Sequence, residues 1–153
     1  MSHTLAQANA ALTRHPFDHP ELADLSRQIE AINALAMDSP GFIQHVIPQR
    51  ETDLERVGQW LNSKTTARIF FNMSVWDSIE SLRKFTYHTQ HRELIGRKKD
   101  WLVPSCNASY VLWWIPRNTV PTVTDACQRL QEISARGPSS VAFDLKTTFP
   151  PTA

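Results

Sequence analysis

The chain has 153 residues, 41% of them apolar and 20% charged, and its sixteen basic and fifteen acidic side chains leave a net charge of +1. A chain of this length buries about 70% of the surface its unfolded form would expose, which makes a single domain over 1–153 and excludes global disorder. The balanced charge gives no large field of one sign and argues against a nucleic-acid or membrane-surface partner.

No run approaches the ~20 apolar residues of a membrane span; the most apolar stretch is Tyr110 to Ile115. The N-terminus, MSHTLAQANAALTRHP, has no basic start followed by an apolar block, so no signal peptide is expected. Cys106 and Cys127 form no C-x-x-C pair. A reduced, cytoplasmic protein is the simplest reading, with a Cys106–Cys127 bridge left as the alternative. The four glycines make no phosphate-binding loop or dinucleotide fingerprint, and no G-x-S-x-G elbow is present.

In chain order, residues 3–9 read as a first strand and Arg14 to Pro20 as a loop. Leu22, Leu25, Ile29, Ile32 and Leu35 recur every three or four residues, which predicts a helix from about Glu21 to Met37. Asp38-Ser39-Pro40-Gly41 ends it, and Phe42 to Ile47 reads as a strand. Pro48 to Ser63 is polar, either a loop or a loop with a short helical turn, anchored by Trp60 and Leu61. Thr66 to Ser74 alternates apolar and polar residues as a half-covered strand does.

Ser74-Val75-Trp76-Asp77 matches a capping box, placing a helix start at Asp77 with Ile79, Leu82 and Phe85 inward. A further helical segment is expected over Thr89–Leu102. Tyr110 to Ile115 is apolar on both faces and predicts a central, doubly covered strand. Thr122 to Asp125 is another capping box, opening a helix with Val123, Ala126, Cys127, Leu130 and Ile133 on its stripe and a stop at Gly137-Pro138. Val141 to Leu145 reads as a final edge strand, and residues 146–153 as a tail.

The order β-α-β-β-α(α)-β-α-β fits an α+β fold, a ferredoxin-like split β-α-β with helices on one face of an antiparallel sheet. Phe70, Leu112 and Trp114, or their alternates, then need cover on the other face. Pairing with a second copy would supply it, so a homodimer is expected.

Several segments carry a resemblance. They are Asn72-Met73-Ser74-Val75-Trp76-Asp77-Ser78-Ile79-Glu80-Ser81-Leu82, Phe85-Thr86-Tyr87-His88-Thr89-Gln90-His91, Arg97-Lys98-Lys99-Asp100-Trp101, Leu112-Trp113-Trp114-Ile115-Pro116 and Pro121-Thr122. With Leu5-Ala6-Gln7, Ser39-Pro40-Gly41-Phe42 and Gly137-Pro138, they resemble an uncharacterised domain-of-unknown-function family. That family sits in the dimeric α/β-barrel (antibiotic-biosynthesis-monooxygenase-like) superfamily. The superfamily includes cofactor-free monooxygenases of polyketide-type aromatics, haem-binding and haem-degrading proteins, lactone isomerases and small dehydratases or cyclases. The chain departs from the pattern where Gln44 and His45 replace a Trp-Arg pair, where Arg117-Asn118-Thr119-Val120 replaces a Gly-His turn, and near Val141. The resemblance thus implies a reshaped pocket, with His45 among its lining residues.

His91 fits the family motif best. By spacing it shares one helical face with Leu94, Ile95, Lys98 and Trp101. An imidazole there can pass a proton near neutral pH or bind haem iron; the plainer alternative is a buried histidine that fixes the helix. His88 and His91, at i and i+3, would need a third ligand such as Glu93, Asp100 or His45, and no zinc signature matches, so no metal is expected. Tyr87 fits the family's Phe-x-Tyr and can orient a substrate oxygen, as can Asn72. Trp76, Trp101, Trp113 and Trp114 are aromatic walls for a flat apolar ligand, or simply core. Arg97, in a basic run, either faces solvent or binds a substrate carboxylate.

The expectation is a small-molecule enzyme acting on an apolar or aromatic metabolite without a cofactor, monooxygenase-like or isomerase/cyclase-like. Its catalytic residues would be His91, Tyr87 and Asn72, and its binding residues Trp76, Trp101, Trp113, Arg97 and His45. A haem-binding dimer and a non-catalytic ligand-binding dimer are the alternatives.

Overall fold

The computed structural model describes residues 2–88, 97–105 and 107–152, leaving aside the side chain of His88. Among the described residues, four antiparallel strands form one sheet in the order β2-β3-β1-β4: β1 His3–Leu12, β2 Phe42–His45, β3 Ile69–Trp76 and β4 Tyr110–Pro116. The helices are α1 Ala23–Met37, entered through a 3-10 turn Pro20–Leu22, α2 Glu51–Trp60, α3 Ile79–His88 and α4 Val123–Arg136. Residues 97–101 are also helical; the rest of the expected Thr89–Leu102 segment lies outside the described residues up to 96.

Strand register decides which side chains share a face. Leu5 lies opposite Trp76 and Trp114, Gln7 opposite Ser74 and Leu112, and Asn9 opposite Asn72 and Tyr110. These residues point to one side, which we call the first face. Ala6, Ala8 and Ala10 point to the second. Their small side chains sit at the middle of the sheet, flanked by Met73, Val75, Val111 and Trp113, and α2 and α4 close over them with Val57, Ala126, Leu130 and Ile133. The first face is packed by Ile32 and Ala36 of α1, Leu82 and Phe85 of α3, and Phe143 and Leu145 of the C-terminal segment.

Helices therefore cover both faces, where the sequence reading placed them on one. Leu112 and Trp114, for which a partner's cover was expected, stand on the first face against α1, α3 and the C-terminal segment. Glu51–Trp60 is a full ten-residue helix rather than a loop with a turn. Leu54, Val57 and Leu61, spaced three and four apart, are the signal for it.

β3 runs two residues beyond Ser74, because Val75 and Trp76 pair with Ala6 and Leu5. Ser74-Val75-Trp76-Asp77 is therefore strand and turn, not a capping box. Ser78 takes the capping role instead, its Oγ accepting the Ser81 N–H at 3.2 Å. The second capping box is present: Asp125 N–H donates to Thr122 Oγ1 and Thr122 N–H to Asp125 Oδ2.

β4 is an edge strand, not a central one, although both its faces are buried. Val141–Leu145 meets it only through a single bridge, Leu112 to Phe143, rather than as a strand. Cys127 is a free thiol whose pKa is raised by burial, and Cys106 lies outside the described residues. No helix among the described residues is long and apolar enough to cross a membrane.

Candidate functional site

The first face is divided. One end is aromatic: Trp76 lies edge-on to Phe42 at 5.4 Å and tilted against Phe85 at 5.2 Å, with Leu5, Leu112 and Trp114 beside it. The other end is polar, and its polarity comes from alternate positions of otherwise apolar strands: Gln7 and Asn9 on β1, Asn72 and Ser74 on β3. These side chains form two rows across the sheet. His45, Ser74 and Gln7 make the first; Asn72, Asn9 and Tyr110 make the second.

The first row is a buried hydrogen-bond chain. Trp76 Nε1 donates to Ser74 Oγ at 2.9 Å, and Ser74 Oγ donates to Gln7 Oε1 at 2.8 Å. This fixes the Gln7 carboxamide with its nitrogen, a donor, unpaired among the described residues. His45 stands across from Ser74, with its ring against Phe42 at 4.9 Å. Burial pushes its pKa below the ordinary 6.5, so its imidazole is neutral at pH 7 and offers a nitrogen lone pair.

The second row is half-buried, so its side chains stay partly open to solvent. Asn72 Nδ2 donates to Asn33 Oδ1 of α1 at 3.2 Å, and Asn33 is also half-buried. The Tyr110 oxygen accepts the Leu145 N–H at 3.1 Å, and burial is the main cause of its raised pKa. It stays a neutral phenol with its O–H free to donate. Carboxamides, a hydroxyl, a phenol and a neutral imidazole thus share the first face with a packed aromatic end. Such a set binds and orients the oxygens of a flat, uncharged molecule.

The expected site residues separate. Asn72, Trp76 and His45 share the first face. Tyr87, on α3, interacts electrostatically with Tyr110 and is 44% exposed, which puts it at the rim. Trp113 packs on the second face with α4 and so walls nothing beside Asn72; adjacent strand residues point opposite ways, and Trp114 is the tryptophan of β4 on the first face. Trp101 belongs to a third cluster with Leu22 and Leu25. Arg97 stacks over Trp101 at 4.4 Å and pairs with Asp24 at 3.7 Å and Asp100 at 3.4 Å, so its charge is engaged at the surface and not in a pocket. His91 lies outside the described residues.

Gln7, Asn9, Asn33, Ser74 and Tyr110 were not singled out from sequence as site residues. The signal for Gln7 and Asn9 is a pair of amides two apart in an apolar strand. An open groove of about 480 Å³ lies elsewhere, on the other side of the sheet, between Thr4, Gln44, Val75 and residues 117–120. No carboxylate, imidazole or thiol is among its described lining residues.

Comparison with known proteins gives the chain's family and fold relatives. Residues 4–153 match the family described as Domain of unknown function (DUF3291). No curated protein matches the chain. Among solved structures, SnoaB, a cofactor-independent oxygenase from Streptomyces nogalater, is similar at 12% identity with a TM-score of 0.51, over 79% of this chain and 99% of that one. PA3566 from Pseudomonas aeruginosa is similar at 15% identity and a TM-score of 0.49, over 78% and 98% of the two chains. NE2512 from Nitrosomonas europaea, a protein of unknown function, is similar at 9% and 0.48, over 78% and 94%. The SnoaB likeness shows a shared ferredoxin-like fold.

Proposed function

Because this chain belongs to the DUF3291 family, whose description assigns no activity, we propose that the polar end of its first face is a ligand cleft and the chain a small-molecule enzyme acting on an apolar or aromatic, oxygen-bearing metabolite. The observation that carries this reading is the polar end of the first face. Asn9, Asn72 and Tyr110 are half-buried there, beside the fixed Gln7–Ser74–Trp76 chain and the neutral His45. A fold shared with a cofactor-independent oxygenase supports the reaction class.

Oxygenation without a cofactor asks little of the protein, because the substrate supplies the electrons. A ring CH2 beside a carbonyl enolises by losing a proton, and O2 then converts the CH2 to C=O. One oxygen atom stays on carbon and the other leaves as water. The protein must take the proton, hold the enolate oxygen with donors and keep the intermediate dry. In this proposal His91 shuttles the proton, Asn72 and the Gln7 amide hold the oxygen, Tyr87 closes the rim, and Trp76 backs the site through the Ser74–Gln7 chain. An isomerisation or cyclisation through the same enolate uses the same groups.

The test is turnover of a panel of anthrones and polycyclic phenols, followed by O2 uptake and product mass. Asn72→Leu is expected to lower kcat/KM about 100-fold by removing an oxyanion donor. His91→Ala is expected to lower it by about 100-fold or more. Conversion that persists without O2 selects the isomerase or cyclase form. Turnover unchanged in both variants, or absent across the panel, overturns the proposal.

A further inference from the structure

We propose that His15, His19 and Glu21 form a binding site for a divalent transition-metal ion of the zinc type, a site separate from the cleft and independent of the function proposed above. Their ligand atoms lie within 4.8 Å of one another. The two imidazoles stack with centroids 4.1 Å apart and planes 13° from parallel, and His15 Nε2 stands 2.8 Å from Glu21 Oε2. Two imidazoles and one carboxylate are a donor set that suits zinc better than the oxygen-seeking calcium or magnesium ions.

The backbone brings these side chains together before any ion arrives, and the rings then turn out of their near-parallel stack to aim one nitrogen each at the ion. Each histidine precedes a proline, in His15-Pro16 and His19-Pro20, which restricts it to extended geometry; His19 has φ −69° and ψ 138°. The loop is tied down on several sides. Arg14 N–H donates to Trp101 O at 2.8 Å, Phe17 N–H to Ala67 O at 3.1 Å and His19 N–H to Pro16 O at 2.9 Å. Buried Leu22 anchors its far end.

An ion would take the place of the proton that His15 and Glu21 share. His19 Nδ1 accepts the Glu21 N–H at 3.1 Å, so Nδ1 carries the lone pair on offer. The ion displaces that amide, which water can then satisfy because Glu21 is exposed. Solvent completes the coordination. The spacing His-x3-His-x-Glu follows no helical zinc pattern, and for that reason it escapes motif reading.

The experiment is calorimetric titration of the tag-free full chain with Zn2+, together with thermal unfolding at several zinc concentrations. One equivalent is expected to bind and to raise the unfolding temperature. His15→Gln and Glu21→Gln should each weaken Zn2+ binding about tenfold or more, while His3→Gln leaves it unchanged. Co2+ in place of zinc should give visible absorption that His15→Gln abolishes. No stoichiometric zinc binding, or zinc binding that survives both His15→Gln and His19→Gln, overturns the proposal. So does a His15→Gln variant that loses stability yet keeps its zinc affinity, since the cluster would then be only a clasp within the loop.

Discussion

Trp76→Ala is expected to cost about 3–5 kcal/mol of folding stability, the range for emptying a fully buried large aromatic site. The side chain is 1% exposed, and its ring meets Phe42 and Phe85. Its N–H also begins the chain through Ser74 to Gln7. Removing it therefore leaves a cavity and loosens the polar row next to it. Trp76→Phe separates the two effects: it keeps most of the ring and loses the N–H, for an expected cost of about 1–2 kcal/mol. Urea unfolding with an unchanged m-value measures both. A domain of this size has only about 5–15 kcal/mol in total, so Trp76→Ala should sit near the edge of folding. A loss below about 1 kcal/mol would contradict the packing described here.

Gly41→Ala is expected to cost about 2–4 kcal/mol, from backbone strain and overpacking together. Gly41 has φ +86°, in the left-handed region, and a Cβ there would meet Ser81 Oγ at 2.2 Å and Ser81 Cβ at 2.5 Å. Its carbonyl also accepts the Asp77 N–H at 2.8 Å, which locks the entry of β2 onto the turn between β3 and α3. It is one of the contacts that hold α3 over the first face, beside the packing of Leu82 and Phe85. A double-mutant cycle with Ser81→Gly checks the cause: it removes the Ser81 collision and leaves the φ strain and the contact with Asp77 Oδ1 at 2.4 Å, so the pair should cost less than the sum of the single changes. Strict additivity would place the effect in the backbone and the Asp77 contact, not in Ser81.

The elements were largely legible, because periodicity survives in the sequence. The apolar stripe of α1 at Leu22, Leu25, Ile29 and Ile32, and the Thr122–Asp125 capping box of α4, appear in the structure as read. What periodicity cannot supply is register. Whether Val75 and Trp76 belong to strand or cap depends on their pairing with Ala6 and Leu5 about 70 residues away. The second face was misjudged for a related reason. α2 carries Glu51, Asp53, Glu55 and Arg56 around a narrow apolar edge, and the cover its Val57 gives Met73 is a tertiary fact.

The site was legible by residue type and obscure in assembly. Asn72, Trp76 and His45 do share a face, because β2 and β3 pair antiparallel with His45 opposite Ser74. Trp113 belongs to the opposite face by strand alternation alone, and Arg97 is drawn off by Asp24 and Asp100. Gln7 and Asn9 were hidden by their neighbours: in an alanine-rich strand the amides look like surface residues until the helices of the first face are placed over them.

The central claim is that the polar end of the first face receives a flat, oxygen-bearing ligand. The most direct measurement follows the side-chain carboxamide NMR resonances of Gln7, Asn9 and Asn72 while a bicyclic phenol is titrated into the full chain. These three signals are expected to shift together and saturably, with the Trp113 indole and residues 118–120 unmoved. Carboxamide signals that stay fixed while the groove at residues 118–120 responds would contradict the claim.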